Sequence, residues 1–313
     1  MYNIEEIKNQ ILCGDAYDVL PQLPDKSVRL VITSPPYWQT RDYKLGSGEL
    51  GHEKSVDHYI TNLTNIFWKL QRVLTDDGSL WVVISDKIDG DMVGVPERFV
   101  LEMQKDGWIR RRTIIWHKPS CKPQSVKNAF TVDFEYFYWF SKSKNPYFKT
   151  QYEPLSPITI KEAQEFYKGQ ATKDYESHKA ENPSDIKRRI NKKFAPIGGT
   201  KHSAVFDNMS GESYEPDITN GRIKRCVWHI NPNRLRSNWH YSVFPPELVK
   251  TPILACSDEG DIVLDPFMGS GSTGIAAMKE NRYYVGIERN PQDVEKAKAR
   301  ILMSGAALVK THK

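Results

Sequence analysis

The stretch that decides the fold is Asp261–Glu288, DIVLDPFMGSGSTGIAAMKENRYYVGIE. An apolar run leads through Asp265-Pro266-Phe267 into the loop Gly269-Ser270-Gly271-Ser272-Thr273-Gly274. GSTGIAAMKEN then has the composition of a helix, and RYYVGIE is a second apolar run. Strand, glycine loop, helix and strand form a βαβ unit, the kind of crossover that parallel strands require. The loop has the spacing G-x-G-x-x-G, whose glycines let the backbone approach a ligand at a helix N-terminus. Glu288 stands at the tip of the next strand, 14 residues after Gly274, where a carboxylate can accept both hydroxyls of a ribose. The pattern points to a nucleoside-containing cofactor; the competing reading is a tight strand–helix turn beside an ordinary exposed glutamate. G-x-x-x-x-G-K-[ST] does not occur, which excludes a phosphate-cradling NTPase.

Two nucleoside cofactors compete, a dinucleotide such as NAD and S-adenosyl-L-methionine. Only 25 residues follow Glu288, and no second mononucleotide half is recognisable. The remaining strands of the sheet must come from the N-terminal half, in permuted order.

That half supplies them. Gln10–Cys13 and Arg29–Thr33 are expected strands, the second a nearly continuous apolar run suited to a parallel sheet buried on both faces. It ends in Thr33-Ser34-Pro35-Pro36-Tyr37-Trp38, where two prolines remove two ladder donors. Asp57–Leu74 shows helical spacing, with Gly78 as its stop, and SLWVVIS follows as a strand. A helix opens at Pro96 and stops near Gly107; IRRRTIIWHK and VDFEYFYWFSK are aromatic and β-branched, hence strands. PPELVKTPILACS is a helix with Pro252 as a bend, and PQDVEKAKARILM closes the chain as a helix. Between about Tyr152 and Cys226 apolar periodicity fades and Lys, Gly, Asn and Pro dominate, as in DIKRRINKKFAPIGGTKH. The expected division is 1–151, an inserted region 152–228, and 229–313.

Composition narrows the class. The chain has 313 residues, 39% of them hydrophobic and 27% charged, which suits one large domain with an insertion and argues against disorder. The net charge of +5 is compatible with an anionic partner. Cys13, Cys121, Cys226 and Cys256 are far apart with no C-x-x-C pair, so no zinc or redox site is expected and a reducing cytosol fits. Nothing resembles a signal peptide or a membrane-spanning run.

With these two signatures, the chain resembles the DNA amino-methyltransferases, which methylate exocyclic amines of bases. DPFMGSGST is similar to their cofactor loop and TSPPYW to their catalytic [DNS]-P-P-[YFW] tetrapeptide. CGDAYDVLPQLPDKSVRLVITSPPY, DDGSLWVVISD, IIWHKPS and FPPELVKTPILACSDEGDIVLDPF extend the resemblance to about three quarters of the chain. Tetrapeptide first, variable region next and cofactor loop last is the order of the β group. The resemblance implies a doubly wound, mostly parallel α/β sheet of seven strands in permuted order, its last hairpin antiparallel, with an inserted target-recognition region and with the N- and C-terminal segments side by side. It implies that S-adenosyl-L-methionine binds with Asp265, Phe267, Gly269 and Gly271 bordering its methionine part, Thr273 starting the helix beneath it, Glu288 holding the ribose and Asp15 reaching the adenine amine. Asp15 is equally suited to cap the helix of AYDVL. His240–Phe244 and Pro245 would wall the pocket.

The tetrapeptide has a chemical rationale. An exocyclic amine is a poor nucleophile because its lone pair is delocalised into the ring, and rigid acceptors aimed at its hydrogens help that pair localise. Ser34 offers a hydroxyl, the Ser34/Pro35 backbone a carbonyl, and the prolines hold both, Pro36 included. Tyr37 offers a flat face for a base flipped out of the duplex. Carbon methylation of cytosine needs a Pro-Cys nucleophile, and no Pro-Cys occurs. Serine at the first position, within the resembled family, favours cytosine N4 over adenine N6, the alternative. An NAD-dependent oxidoreductase and a non-catalytic DNA-binding module are the remoter readings.

The resemblance further implies double-stranded DNA as partner and, in a prokaryotic cytoplasm, a cognate restriction endonuclease acting on the same sequence. Basic runs near Gln170 and Asn191 are suited to phosphates and base edges, and Gly198–His202 to a loop ordering on DNA. Arg41, in a glycine-rich loop beyond the tetrapeptide, and Arg234 and Arg236 are candidate DNA contacts.

Overall fold

The computed structural model describes residues 1–40, 48–87, 92–121, 127–157, 160–161, 221–232 and 243–305. Arg41, Gln170, Asn191, Gly198–His202, Arg234, Arg236 and His240 lie outside the described residues. The chain divides into a larger unit, Met1–Lys149 with Cys226–Lys313, and a smaller one, Thr150–Arg225.

The larger unit carries strands β1 (Gln10–Cys13), β2 (Val28–Thr33), β3 (Leu74–Ile84), β4 (Ile109–His117), β5 (Phe134–Ser141), β8 (Val227–His229), β9 (Ile262–Asp265) and β10 (Tyr283–Glu288). Its helices are α1 (Ile4–Ile7), α2 (Ala16–Val19), α3 (Val56–Val73), α4 (Val95–Lys105), α5 (Pro246–Cys256), α6 (Ser272–Lys279) and α7 (Pro291–Met303). In the smaller unit β6 (Tyr152–Glu153) pairs antiparallel with β7 (Arg222–Ile223). There the Glu153 carboxylate accepts from Arg222 at 2.8 Å and from Arg225 at 2.6 Å.

The strands of the larger unit form one sheet in the order β1-β10-β9-β2-β3-β5-β4-β8. β5 runs antiparallel to β3 and β4, and the other pairs are parallel. β1 lies in register with β10, Cys13 opposite Glu288, so the N-terminal strand extends the C-terminal βαβ unit. Among the described residues the sheet has eight strands where seven are expected. β8 is the addition, three residues on the outer edge of β4, and the expected boundary at residue 228 falls inside it. Three residues are too few for an alternation signal; what secures β8 is Trp228, buried beside Trp81 with ring centroids 6.1 Å apart.

The strand period of two sorts the apolar residues into two cores. On one face Val31, Leu80, Val82, Tyr138 and Phe140 pack with α3 and α4 through Tyr59, Phe67, Leu70 and Phe99. On the other, Leu30, Ile32, Trp81, Val83, Phe137 and Trp139 pack with α5, α6 and α7 through Leu248, Ile253, Ile275 and Ala297. The helices therefore cover both faces. α5 runs through Pro252, a buried residue within the helix.

Gly78 differs from its expected role as a helix stop. α3 ends at Val73 and β3 begins at once, with Gly78 inside it, beside an irregularity where β2 advances two residues and β3 five. A Cβ on Gly78 would lie 2.9 Å from Leu74, 3.0 Å from the Thr75 carbonyl and 3.1 Å from that of Arg29. The glycine is required by close backbone approach rather than by helix termination. Gly78→Ala is expected to cost about 1–3 kcal/mol by forcing that backbone apart, read as a lower urea midpoint at unchanged slope.

Candidate active site

β2 and β9 are parallel neighbours at the centre of the sheet, Val31 opposite Leu264. Their carboxyl ends release TSPPYW and DPFMGSGST side by side, although the two segments are separated by more than half the chain. Clefts at such central strand ends are where ligands bind in open α/β sheets.

One carboxylate ties the two segments together. Asp265, at the end of β9, accepts from Thr33 Oγ1 at 2.6 Å, from Thr273 Oγ1 at 2.6 Å and from the Phe267 amide at 3.0 Å. Thr33, Asp265 and Thr273 are all buried. Burial pushes the Asp265 carboxyl up to about 6 against the pull of its three donors. Asp265 and Thr273 do not line the cavity in front of the loop; they brace it from behind. Gly271 is also turned away from it. Its φ is +83°, and a Cβ there would meet Ile301 of α7 at 3.0 Å.

The cavity itself has a volume of about 370 Å³, and Asp15, Ser34, Pro36, Phe267, Gly269 and Glu288 are among its walls, as are Val243 and Phe244. Pro35 is buried. Glu288 accepts the Gly269 amide at 2.9 Å on one oxygen and the Asn290 amide at 2.9 Å on the other. Each carboxylate oxygen has a second lone pair left for a ligand hydroxyl. Burial raises the Glu288 pKa, opposed by those two amides. Asp15 caps its helix and also stands on the cavity wall. It caps α2 by accepting the Tyr17 amide at 2.8 Å, and it lines the cavity with its other oxygen 3.4 Å from Arg289. Among the described residues, six acidic side chains, Asp15, Asp18, Glu49, Glu53, Glu288 and Asp293, border the cavity together with one arginine, Arg289. A ribose-bearing ligand with cationic sulfur and amine groups fits those acceptors and that field.

The tetrapeptide is held from three sides. Ser34 faces the cavity. Tyr59 of α3 donates its hydroxyl to the Pro36 carbonyl at 2.8 Å. Tyr37 donates its hydroxyl to Glu135 at 2.8 Å and lies 3.3 Å from Ser34 Oγ, while Lys118 forms an ion pair with the same carboxylate. Burial, and then the charge of Glu135, raise the Tyr37 pKa well above the usual phenol value. The sequence alone gives no role to Thr33, Tyr59, Lys118 or Glu135. For Glu135 there was a signal, since it is the only charged residue in the strand FEYFYWFS.

A family model described as "DNA methylase", of the N6/N4 type, matches residues 28–299. The chain belongs to the N6/N4 DNA methylase family. It is 32% identical to the type II methyltransferase M.Cfr9I of Citrobacter freundii, covering 92% of this chain and 86% of that protein. It is likewise 32% identical to the type II methyltransferase M.SmaI of Serratia marcescens, covering 94% and 90%. Among solved structures, the cytosine-N4-specific PvuII DNA methyltransferase shares the fold with a TM-score of 0.59 at 18% identity, covering 96% of this chain and 86% of that one. A Thermus thermophilus protein, named a candidate DNA modification methylase and complexed with S-adenosyl-L-methionine, aligns with a TM-score of 0.56 at 23% identity over 97% of both chains. Within this methylase family the chain has the β-group order, its tetrapeptide preceding its cofactor loop.

The Asp265 brace has a pH signature. Its carboxyl is raised from the usual 3.8 to about 6 in the folded protein, so the folded state holds a proton that the unfolded chain releases. That contribution to stability is complete below pH 4 and is lost as pH rises through about 6. Relative to Asp265→Asn, the wild type is expected to lose roughly 2–3 kcal/mol of stability between pH 4 and pH 7, measured by urea unfolding at each pH.

Proposed function

We propose that this DNA methyltransferase transfers a methyl group from S-adenosyl-L-methionine to the exocyclic N4 of a cytosine flipped out of duplex DNA. The observation that carries the reading is Ser34: a neutral hydroxyl at the first position of the tetrapeptide, facing the cavity and braced to the cofactor loop through Thr33 and Asp265. The cytosine specificity of the PvuII neighbour supports the choice of base, and the lack of any Pro-Cys dipeptide speaks against carbon methylation.

When bound, the cofactor supplies an electrophilic methyl on a sulfonium. The chain's own residues supply the rest. Glu288 holds the ribose hydroxyls, and Asp15 receives the adenine amine. Phe267 and Gly269 border the methionine part; Asp265, Gly271 and Thr273 act one layer behind, fixing the loop. Ser34 Oγ and the Ser34/Pro35 backbone carbonyl accept the amine's hydrogens, which leaves the nitrogen lone pair pointing at the methyl group. The Pro36 carbonyl already receives the Tyr59 hydroxyl, so it serves to fix the turn. The Tyr37 ring supplies the face on which the flipped base stacks.

The inserted region, 152–228, is proposed to read the target sequence. The enzyme is proposed to act in a prokaryotic cytoplasm, shielding DNA from a restriction endonuclease that cuts the same site. Among the described residues no helix is long and apolar enough to cross a membrane.

Digestion of DNA from cells expressing the protein, followed by mass spectrometry of the nucleosides, is expected to show N4-methylcytosine; N6-methyladenine in its place would reverse the choice of base. Glu288→Gln removes a charged acceptor and is expected to weaken cofactor affinity about 10- to 100-fold, from the roughly 1.5–3 kcal/mol of such a bond, measured by calorimetric titration.

A further inference from the structure

The tetrapeptide does not end its hydrogen bonding at Tyr37. Ser34 Oγ donates to the Tyr37 hydroxyl at 3.3 Å, and Tyr37 donates to Glu135 Oε2 at 2.8 Å. Lys118 forms an ion pair with the other oxygen of Glu135. We propose that Glu135, with its charge partner Lys118, is a positioning residue for methyl transfer that acts through Tyr37 to fix which way the Ser34 hydroxyl points. The proposal rests on the reading that Ser34 accepts a hydrogen from the target amine.

A serine hydroxyl has one proton and two lone pairs. It helps the amine only when its proton points away from it; a proton aimed into the cavity would compete for the nitrogen lone pair that must receive the methyl. An ionised carboxylate only accepts. Glu135 therefore compels Tyr37 to donate, and Tyr37, its single proton committed, can offer Ser34 only a lone pair. The Ser34 proton turns toward Tyr37, and the Ser34 lone pairs are left for the cavity. The polarity of the whole chain runs from the carboxylate outward, and each bond polarises the next. The raised Tyr37 pKa keeps the phenol protonated and able to donate.

The competing account is that Glu135 and Lys118 form an ion pair that merely fastens β5 to the end of β4. That pair joins neighbouring segments, and the Lys118 amide already bonds to the Asp133 carbonyl at 2.7 Å. Tyr37 is the part this account leaves unexplained. It lies beyond the end of β2, and β3 separates β2 from β5 in the sheet. Glu135 is thus linked to the catalytic turn across an intervening strand, through side-chain bonds alone.

The test compares the full-length wild type with Tyr37→Phe, Glu135→Gln and the double variant. Single-turnover methyl transfer is measured from labelled S-adenosyl-L-methionine to plasmid DNA from a methylation-deficient host. Tyr37→Phe keeps the stacking ring and removes one oxygen. Each single variant is expected to lower the methyl-transfer rate about 10- to 100-fold, as loss of an orienting partner does elsewhere. Cofactor and DNA affinities and the melting temperature are expected to stay near wild type. The double variant is expected to be no slower than the slower single one, because both break the same chain. A wild-type rate in Tyr37→Phe, or losses that multiply in the double variant, would overturn the proposal. So would a rate loss in Glu135→Gln that tracks a lowered melting temperature while Tyr37→Phe stays active. A methyladenine product would displace the cytosine reading and leave these rate ratios interpretable, so the two failures are distinguishable.

Discussion

The site depends on one buried carboxylate. Asp265 ends the strand that opens the cofactor loop, yet one of its bonds is to Thr33, the last residue of the strand that opens the catalytic turn. The other two are to the loop itself. An aspartate with no accessible surface to speak of would be costly without partners; with three donors it becomes a fixed point to which both halves of the reaction centre are anchored. The distance between cofactor loop and tetrapeptide is thereby set in the core, where packing is tight, rather than at the surface, where the loops could drift.

The sheet order makes that anchor possible. β9 and β2 come from opposite halves of the chain and meet only because β1 and β2 complete a sheet begun by β9 and β10. Helices cover both faces, so the backbone groups at the strand ends open into a single crevice. Into it face Ser34 from one strand end and Gly269 from the other, with Glu288 closing the far wall. Acidic residues crowd this crevice although the whole chain carries +5. The local field suits a cationic cofactor and the global one an anionic polymer, and the two need not agree because they act over different distances.

Most of the larger unit was legible in the sequence. The apolar runs of β2, β3 and β9 and the helical spacing of α3 are strong periodic signals, and the expected elements lie within a few residues of those observed. What was not legible has a consistent cause. β8 is too short to show a period, and its anchor is Trp228 against Trp81, a contact between distant segments. Gly78 looked like a helix stop because glycine commonly is one; its need for space arises from the Thr75 carbonyl within the irregular stretch of its own strand and from the Arg29 carbonyl, which only strand pairing brings near. Glu135 was visible as a charge within an aromatic strand, but nothing local indicated that it faces Tyr37.

By itself the sequence determined the class of the molecule: a permuted α/β sheet, a glycine loop with an acidic residue at the next strand tip, and a Ser-Pro-Pro-Tyr turn after a buried strand. Those are local facts, set by backbone preferences and by periods of two and 3.6 residues. Only the tertiary structure decided which of the signature residues face the cavity and which stand behind it. Asp265, Thr273 and Gly271 belong to the loop's motif yet point into the protein, whereas Asp15, Ser34, Gly269 and Glu288 face the crevice. The physical reason is that a motif specifies chemistry along the chain, while the direction of a side chain depends on the neighbours that satisfy it. Here those neighbours, Thr33 for Asp265 and Glu135 for Tyr37, lie 232 and 98 residues away.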